Sequence, residues 1–288
     1  MLTDKSKIVV GPGVYDGISA RMALKAGFEC LYMTGAGTSM SRLGWADLGL
    51  ATQTDMVSNA SMIASIDPSI PLIADADTGY GGPVMVSRTI RKYAAAGIAA
   101  LHIEDQVQEK RCGHLLGKEL VTREIFYSRL RAAVQAKNDY GSDILIIART
   151  DARQKYGFEE ACERLKGAVE IGVDAVFPEA LPDVDELKEM VKRIGNTPCL
   201  LNMISGGHTP DLTVEQAKDV GFRMMIFPCL GFEAAMVGMR DWMKILKDQG
   251  KQPDTQISIK EAFEVCGLNE CVELDKRAGG TAYKELGQ

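Results

Sequence analysis

The chain has 288 residues, 46% of them hydrophobic and 25% charged, enough to bury one large core or two smaller ones. Ordinary composition, ten scattered prolines and the lack of any apolar run of about 18 residues exclude disordered, fibrous and helix-spanned membrane classes. Thirty-three basic against 39 acidic side chains leave a net charge of −6 without a block of either sign, which speaks against nucleic acid, and no apolar stretch near the start marks the chain for secretion, so a cytoplasmic protein is expected.

Eight short runs rich in Val, Ile, Leu and Met recur in order: Ile8–Gly11, Cys30–Thr34, Leu72–Asp75, Ala100–Glu104, Ile144–Arg149, Ala175–Pro178, Cys199–Asn202 and Met224–Pro228. Segments of helical period lie between them, among them Ser87–Ala96, Thr122–Lys137, Phe158–Ile171, Val184–Ile194 and Thr213–Val220. Several begin at an Asp, Ser or Thr suited to a cap, and many end on a glycine such as Gly97 or Gly172, as a left-handed helix exit requires. Runs that are apolar throughout imply strands covered on both faces, the habit of parallel sheets wrapped by helices. Eight such units without a Pro/Gly/Ser-rich linker fit a single α/β fold, a (β/α)8 TIM barrel, better than two doubly wound domains. The barrel is expected over residues 1–250, closed by a helix at Phe232–Gln249. Residues 251–288, with a helix at Ser258–Val265, form a C-terminal helical arm that no barrel requires and that suits a partner subunit.

In such barrels chemistry sits where strands hand over to the loops at their C-terminal ends. The runs here end on Asp16, Thr34-Gly35, Asp75 and Asp77, Glu104-Asp105, Arg149 and Asp151, Glu179 and Asn202. So many carboxylates at one mouth would repel one another unless a cation or an arginine sits among them. Oxygen donors with few histidines suit Mg2+, with Mn2+ as the alternative ion, better than zinc. His102, within a strand, reads as a core residue.

The seven cysteines are odd in number and lack any C-x-x-C, which suits reduced thiols, most of them buried as small hydrophobes. Cys112 differs. It lies in the polar segment Glu109–Lys118 after the fourth strand, flanked by Lys110, Arg111 and His114, where basic neighbours are expected to lower its pKa. Gly113 and Gly117 would let this segment move as a lid.

Together these residues resemble the isocitrate lyase / phosphoenolpyruvate mutase superfamily, Mg2+-dependent (β/α)8 enzymes that make or break bonds to a pyruvate-like or oxalate-like enolate. The likeness runs from PGVYDGISARMALKAGF through MTGAG, DADTGYG, HIEDQ, KRCGH and ARTDA to the NM-x-x-GG-x-TP pattern at Asn202–Pro210. KRCGH marks the lyase branch, since the phosphomutase lid carries no such cysteine. The resemblance implies that Asp75 contacts the metal, with Asp47, Asp77 and Glu104 acting through metal-bound water. It implies that Thr34, Gly35 and Ala36 hold the carboxylate of the 2-oxo acid and that Arg149 neutralises its oxygens. Tyr32 would lie beside the reacting carbons, and Cys112 would protonate the departing carbanion. Gly113, Glu179 and Asn202 would line the pocket, with His114 facing the distal carboxylate. A homotetramer with C-terminal helices swapped between subunits is implied as well.

Cleavage of a 2-hydroxy dicarboxylate between C2 and C3 needs the alkoxide stabilised and a proton delivered to the other fragment, for which these residue types suffice. Methylisocitrate lyases of the branch typically continue KRCGH with Arg-Pro and carry an arginine soon after strand eight to hold a third carboxylate. Here Leu115-Leu116 follow instead, an apolar lid in which an unpaired carboxylate would be costly, and the next arginine is Arg240. Oxaloacetate hydrolases are marked by a serine on the strand-eight loop, where this chain aligns Gly231, leaving room for an alkyl group. The resemblance thus implies 2,3-dimethylmalate or another 2-alkylmalate, cleaved to pyruvate plus a short carboxylate such as propionate. Oxaloacetate hydrolysis, methylisocitrate cleavage and a non-catalytic dicarboxylate-binding barrel are the alternatives.

Overall fold

The apolar runs fold into eight strands: β1 (Val9–Val14), β2 (Leu31–Met33), β3 (Leu72–Asp75), β4 (Ala100–Glu104), β5 (Leu145–Thr150), β6 (Ala175–Pro178), β7 (Leu200–Asn202) and β8 (Met224–Phe227). In this computed structural model, which describes residues 2, 4 and 6–283, all strand pairs are parallel, β8 returns to β1, and a bridge from Val176 to Cys199 joins β6 to β7. The sheet is therefore a nearly closed barrel of the TIM type.

β1 extends beyond the expected Ile8–Gly11, through Pro12 and Gly13 to Val14. Gly13 is needed there, because a Cβ would collide with the backbone of Phe227 and Pro228 at the end of β8.

Helices cover the outside: α1 (Gly17–Lys25), α2 (Gly35–Thr38) running into a π-helical turn at Ser39–Leu43, α3 (Gln53–Ile66), α4 (Pro83–Ala95), α5 (Arg123–Tyr140), α6 (Ala152–Tyr156), α7 (Phe158–Ile171), α8 (Val184–Ile194) and α9 (Val214–Val220). Beyond the barrel strands lie α10 (Leu230–Gln249), α11 (Ile259–Val265) and α12 (Leu268–Arg277). Side chains at Thr52, Thr122, Asp183 and Thr213 cap their helices as the sequence suggests. Asp16 does so too: its carboxylate accepts the Ser19 N–H in a capping box, so it belongs to the start of α1 and not to the carboxylates at the mouth.

The strands are buried on both faces, and each face has its own core. Leu31, Met33, Ala74, Leu101, Ile103, Ile146, Ala148, Val176 and Leu201 pack outward against the helices. Val9, Cys30, Tyr32, Ile73, Ala100, Ile147, Ala175, Phe177, Leu200, Met224 and Ile226 fill the barrel itself. The next inward position on these strands, two residues further on, is Thr34, Asp75, His102 then Glu104, Arg149, Glu179 and Asn202. The period-two alternation that fills the barrel with apolar groups thus delivers the polar groups to its C-terminal mouth.

α10 departs from a closing barrel helix. None of its residues is buried, and Met236, Val237, Met239, Met243 and Leu246 are each at least half exposed. α11 and α12 bury nothing either, so Cys266 and Cys271 are exposed and not small core residues, while Cys30, Cys162 and Cys199 are buried. Residues 284–288 of the arm lie outside the described residues. No described helix is long and apolar enough to cross a membrane.

Candidate active site

Strand register sets the frame of the site. Asp75 pairs with His102 across β3 and β4, and Glu104 with Arg149 across β4 and β5. Asp75 is buried, with Oδ1 accepting the Asp77 N–H at 2.8 Å and Oδ2 against Gly35, where any Cβ would collide with the carboxylate. Burial alone would raise the Asp75 carboxyl, but Lys110, Arg149, the Asp77 N–H and His102 when protonated outweigh it and hold the group below its usual range. Asp77 comes next in the left-handed region at φ 47°, a strained conformation for a non-glycine residue that turns its carboxyl back into the cluster. Burial pushes that carboxyl up to about 7, with Lys110 opposing and Asp75 and Asp47 adding to it.

The required cations are present. Lys110, from the lid, is buried with Nζ 2.6 Å from Asp47 Oδ1 and 2.5 Å from Asp77 Oδ1. Arg149 is wedged among three carboxylates, with Nε 3.2 Å from Glu104 and 3.0 Å from Asp151, Nη2 3.2 Å from Glu179, and Cζ over the Phe177 ring at 5.1 Å. Burial raises the Glu104 carboxyl well above its usual value even with Arg149 and Lys110 opposing it. For Glu179 burial also works upward, but Arg149 and His114 prevail and hold it down. Asn202 donates Nδ2 to both Glu179 oxygens.

Tyr32 Oη lies 2.9 Å from His102 Nε2, and His102 Nδ1 lies 3.7 Å from Asp75 Oδ1. Burial drives His102 down to about 4, so the ring is neutral at pH 7 and Tyr32, itself raised well above its usual value by burial, is held as a phenol. Thr34 caps α2 through Oγ1, leaving the N–H groups of Gly35 and Ala36 in the first turn, where intrahelical acceptors are missing.

The lid is seated over the mouth. A Cβ on Gly113 would collide with Arg149 Nη2 and come to 2.8 Å from Glu179. His114 puts Nε2 3.3 Å from Glu179 Oε1, accepts the His208 N–H at Nδ1, and stacks on the His208 ring. Gln106 donates to Glu104 and to the Arg111 carbonyl and accepts the Arg111 N–H. Lys118, also buried, donates to the Gly113 carbonyl and to Asp151.

Three expectations change. The Cys112 thiol is raised, not lowered: burial is the largest cause, Asp47 and Glu179 add to it, and Lys110 is turned away onto Asp47 and Asp77. Gly231 is not brought to the carboxylates. It packs on β1 and α1, where a Cβ would come to 2.7 Å from the Gly13 carbonyl and 3.4 Å from Tyr15, so it leaves no room for an alkyl group. Leu115 and Leu116 point outward and are largely exposed, so they do not make an apolar lid interior.

Sequence reasoning missed Gln106, Lys118 and Cys229. Half-buried Cys229 at the end of β8 is raised to about 12 by burial, with Glu233, Cys112 and Glu179 adding to it. Its only sequence signal was its place after a strand.

The donor set fits a hard cation held mainly by Asp75. Its ionised carboxylate has the further oxygen donors of Asp77 and Glu104 in the same cluster, with the neutral His102 Nδ1 3.7 Å away, and among the described residues no three Asp, Glu, His or Cys side chains converge to hold an ion alone. Asp47, Asp77 and Glu104 would then act through water, as Mg2+ tolerates.

The sequence profile of the phosphoenolpyruvate phosphomutase family matches residues 1–247. The chain is 42% identical to the 2-methylisocitrate lyase of Aeropyrum pernix over 99% of its own length and 91% of the relative's. Among solved structures, a 2,3-dimethylmalate lyase, itself described as a PEP mutase/isocitrate lyase superfamily member, matches with TM-score 0.97 at 48% identity, covering 99% of this chain and 95% of the other. An oxaloacetate acetylhydrolase in complex with 3,3-difluorooxalacetate matches with TM-score 0.95 at 47% identity, covering 98% and 96%. A phosphonopyruvate hydrolase in complex with oxalate and Mg2+ matches with TM-score 0.83 at 27% identity, covering 96% of each chain.

Proposed function

The chain belongs to the phosphoenolpyruvate phosphomutase family and is a carbon–carbon lyase of the PEP mutase/isocitrate lyase superfamily; from that premise we propose that it cleaves 2,3-dimethylmalate, or another 2-alkylmalate, to pyruvate and a short carboxylate such as propionate. The observation that carries this reading is the cation inventory of the closed site. Arg149 faces Glu104, Asp151 and Glu179, Lys110 faces Asp47 and Asp77, and Lys118 faces Asp151, while the His114 ring, which accepts the His208 N–H at Nδ1, directs Nε2 to Glu179. Among the described residues, Arg111 alone of the lid cations makes no ion pair, and its guanidinium turns to the Leu116 carbonyl at 3.3 Å. That leaves the third carboxylate of a methylisocitrate without a charge directed at it, and an unmatched buried charge costs several kcal/mol. The apolar lid no longer supports the choice, because Leu115 and Leu116 face solvent.

A bound Mg2+ or Mn2+ supplies Lewis acidity to the 2-hydroxyl and charge stabilisation to the 2-oxo product. The remaining work falls to the chain. Thr34 and the N–H groups of Gly35 and Ala36 bind the carboxylate next to the reacting carbon, and Arg149 stabilises the alkoxide oxygen. Neutral His102 fixes Tyr32 beside the bond that breaks. As the C2–C3 bond cleaves, the 2-hydroxyl gives its proton to the Glu179 carboxylate, held ionised beside Arg149, the bond's electron pair passes to C3 and into the adjacent carboxylate, and C2 becomes the carbonyl of pyruvate. The Cys112 thiol then gives its proton to C3, forming propionate. Because burial raises this thiol, it is protonated at neutral pH, as a donor must be. The thiolate regains its proton from solvent when the lid opens.

The exposed apolar side of α10 supports the further reading that a second copy covers it in a helix-swapped homotetramer, a cytoplasmic assembly. Facing α1, an apolar groove lined by Tyr15, Ile18, Met22, Leu230 and Ala234 lies open for such a contact. An assay coupling pyruvate release to NADH oxidation by lactate dehydrogenase tests the activity; purified protein with Mg2+ and 2,3-dimethylmalate that released no pyruvate would rule it out.

A further inference from the structure

The geometry points to Lys118 as a positioning residue that latches the lid and aims Arg149 at the same time. Its ammonium is buried, and the cleavage mechanism does not use it. Nζ donates to the carbonyl of Gly113, the lid residue that rests on Arg149, and to Asp151 Oδ1 at 2.9 Å. Asp151 in turn takes both Arg149 Nε, at 3.0 Å, and Nη2, at 3.2 Å, and its N–H donates to Asp105 Oδ1. Asp105 is itself held by Arg164 and by the Thr150 hydroxyl, so this carboxylate pair is fixed across the ends of β4 and β5. One ammonium therefore joins a movable backbone carbonyl to the carboxylate that orients the arginine.

Two features separate this tie from the other lid contacts. Gln106 clasps the backbone before Cys112, at Arg111, Lys110 ties the start of the lid to Asp47 and Asp77, and His114 reaches Glu179 and His208 through its side chain alone. Lys118 instead fixes the backbone after Cys112, at Gly113, and joins it to the carboxylate that orients Arg149. With the Lys118 bond made, the thiol is carried over the site; with it broken, Gly113 can lift from Arg149 and Cys112 leaves with it. A misplacement of about 1 Å at a reacting group costs on the order of 100-fold in rate. Lysine suits the task because its ammonium is a compact charge with three donors on a flexible stem, able to serve two acceptors that do not share a plane.

The kinetic arm of the test rests on the lyase reading; the proteolytic arm does not. K118M keeps the stem and removes the donors. Trypsin cleavage of the Arg111–Cys112 bond, followed by mass spectrometry without ligand, should be about tenfold faster than in the wild type, as for a loop released to open locally. On 2,3-dimethylmalate, kcat should fall on the order of 100-fold with KM changed less than about threefold. Wild-type cleavage at Arg111 together with wild-type kcat would overturn the latch. K118R keeps the charge facing Asp151 and so protects the fold if K118M does not survive; its longer fork displaces Gly113, so faster cleavage at Arg111 and lower kcat are again expected, and wild-type values for both would overturn the proposal. Should the wild type leave 2,3-dimethylmalate intact, the substrate reading falls while the cleavage rates still decide the latch.

Discussion

Gly113 rests so closely on Arg149 that no side chain fits between them: the first atom of one would collide with the guanidinium and press on Glu179. The contact means that the closed lid and the arginine share one surface, and it links access to the site with the charge that stabilises the reacting oxygen.

Gly113→Ala should therefore hold the lid partly open. Its kcat/KM on the preferred substrate is expected to fall on the order of 100-fold, with thermal melting little changed because the buried Gly113 belongs to the lid, which can lift while the barrel beneath it stays as it is. Steady-state kinetics and a melting curve check this, and a variant of wild-type activity would show that the lid closes differently.

Cys112→Ala should lose on the order of 10² to 10⁴ in kcat, the range for one proton donor, while binding oxalate as the wild type does in a calorimetric titration. The pH profile carries a second test. The folded thiol sits above its ordinary value of 9.0, so the donor form is complete throughout the neutral range and is lost only as pH rises through that higher value. An alkaline limb in kcat below pH 8 would contradict the assignment of the donor to this thiol.

His102 gives a stability prediction. Its folded value of about 4 lies below the unfolded value of 6.5, so between these the unfolded chain binds the extra proton and stability falls as pH falls. A gap of that size corresponds to about 3 kcal/mol once pH has dropped through both values. Urea titrations at pH 7 and pH 5 should show a smaller loss for His102→Gln than for the wild type; equal losses would mean that the imidazole is not the group responsible.

Much of this was legible in the sequence. The inward alternation of β4 carries Ala100, His102 and Glu104 in turn, so the polar residue that ends each apolar run marks the mouth of the barrel. Asp16 was misread because a carboxylate after a strand looks the same whether it faces the mouth or caps the next helix; only Ser19, three residues on, hints at the cap. Lys118 was missed because its burial is set by Asp151, distant in sequence, and a lysine in Gly-Lys-Glu reads as surface. Gly231 shows the limit of aligning a short strand end, since the thiol placed beside Cys112 and Glu179 is that of Cys229, two residues earlier.

The apolar side of α10 yields a prediction about assembly. Met243 is 64% exposed on the single chain, and an apolar face of this extent marks an interaction surface. Met243→Glu should lower the mass measured by light scattering relative to the wild type, and a wild-type protein that is monomeric would contradict the swapped arm.

The central claim is the substrate. Wild-type protein with Mg2+ in D2O, offered 2,3-dimethylmalate, 2-methylisocitrate and oxaloacetate in separate tubes and followed by proton NMR, tests it directly. The expected result is pyruvate with propionate carrying one deuterium at C2 from the first, at a kcat/KM above that for the other two; pyruvate with succinate from the second, or oxalate with acetate from the third, at the higher kcat/KM would contradict it.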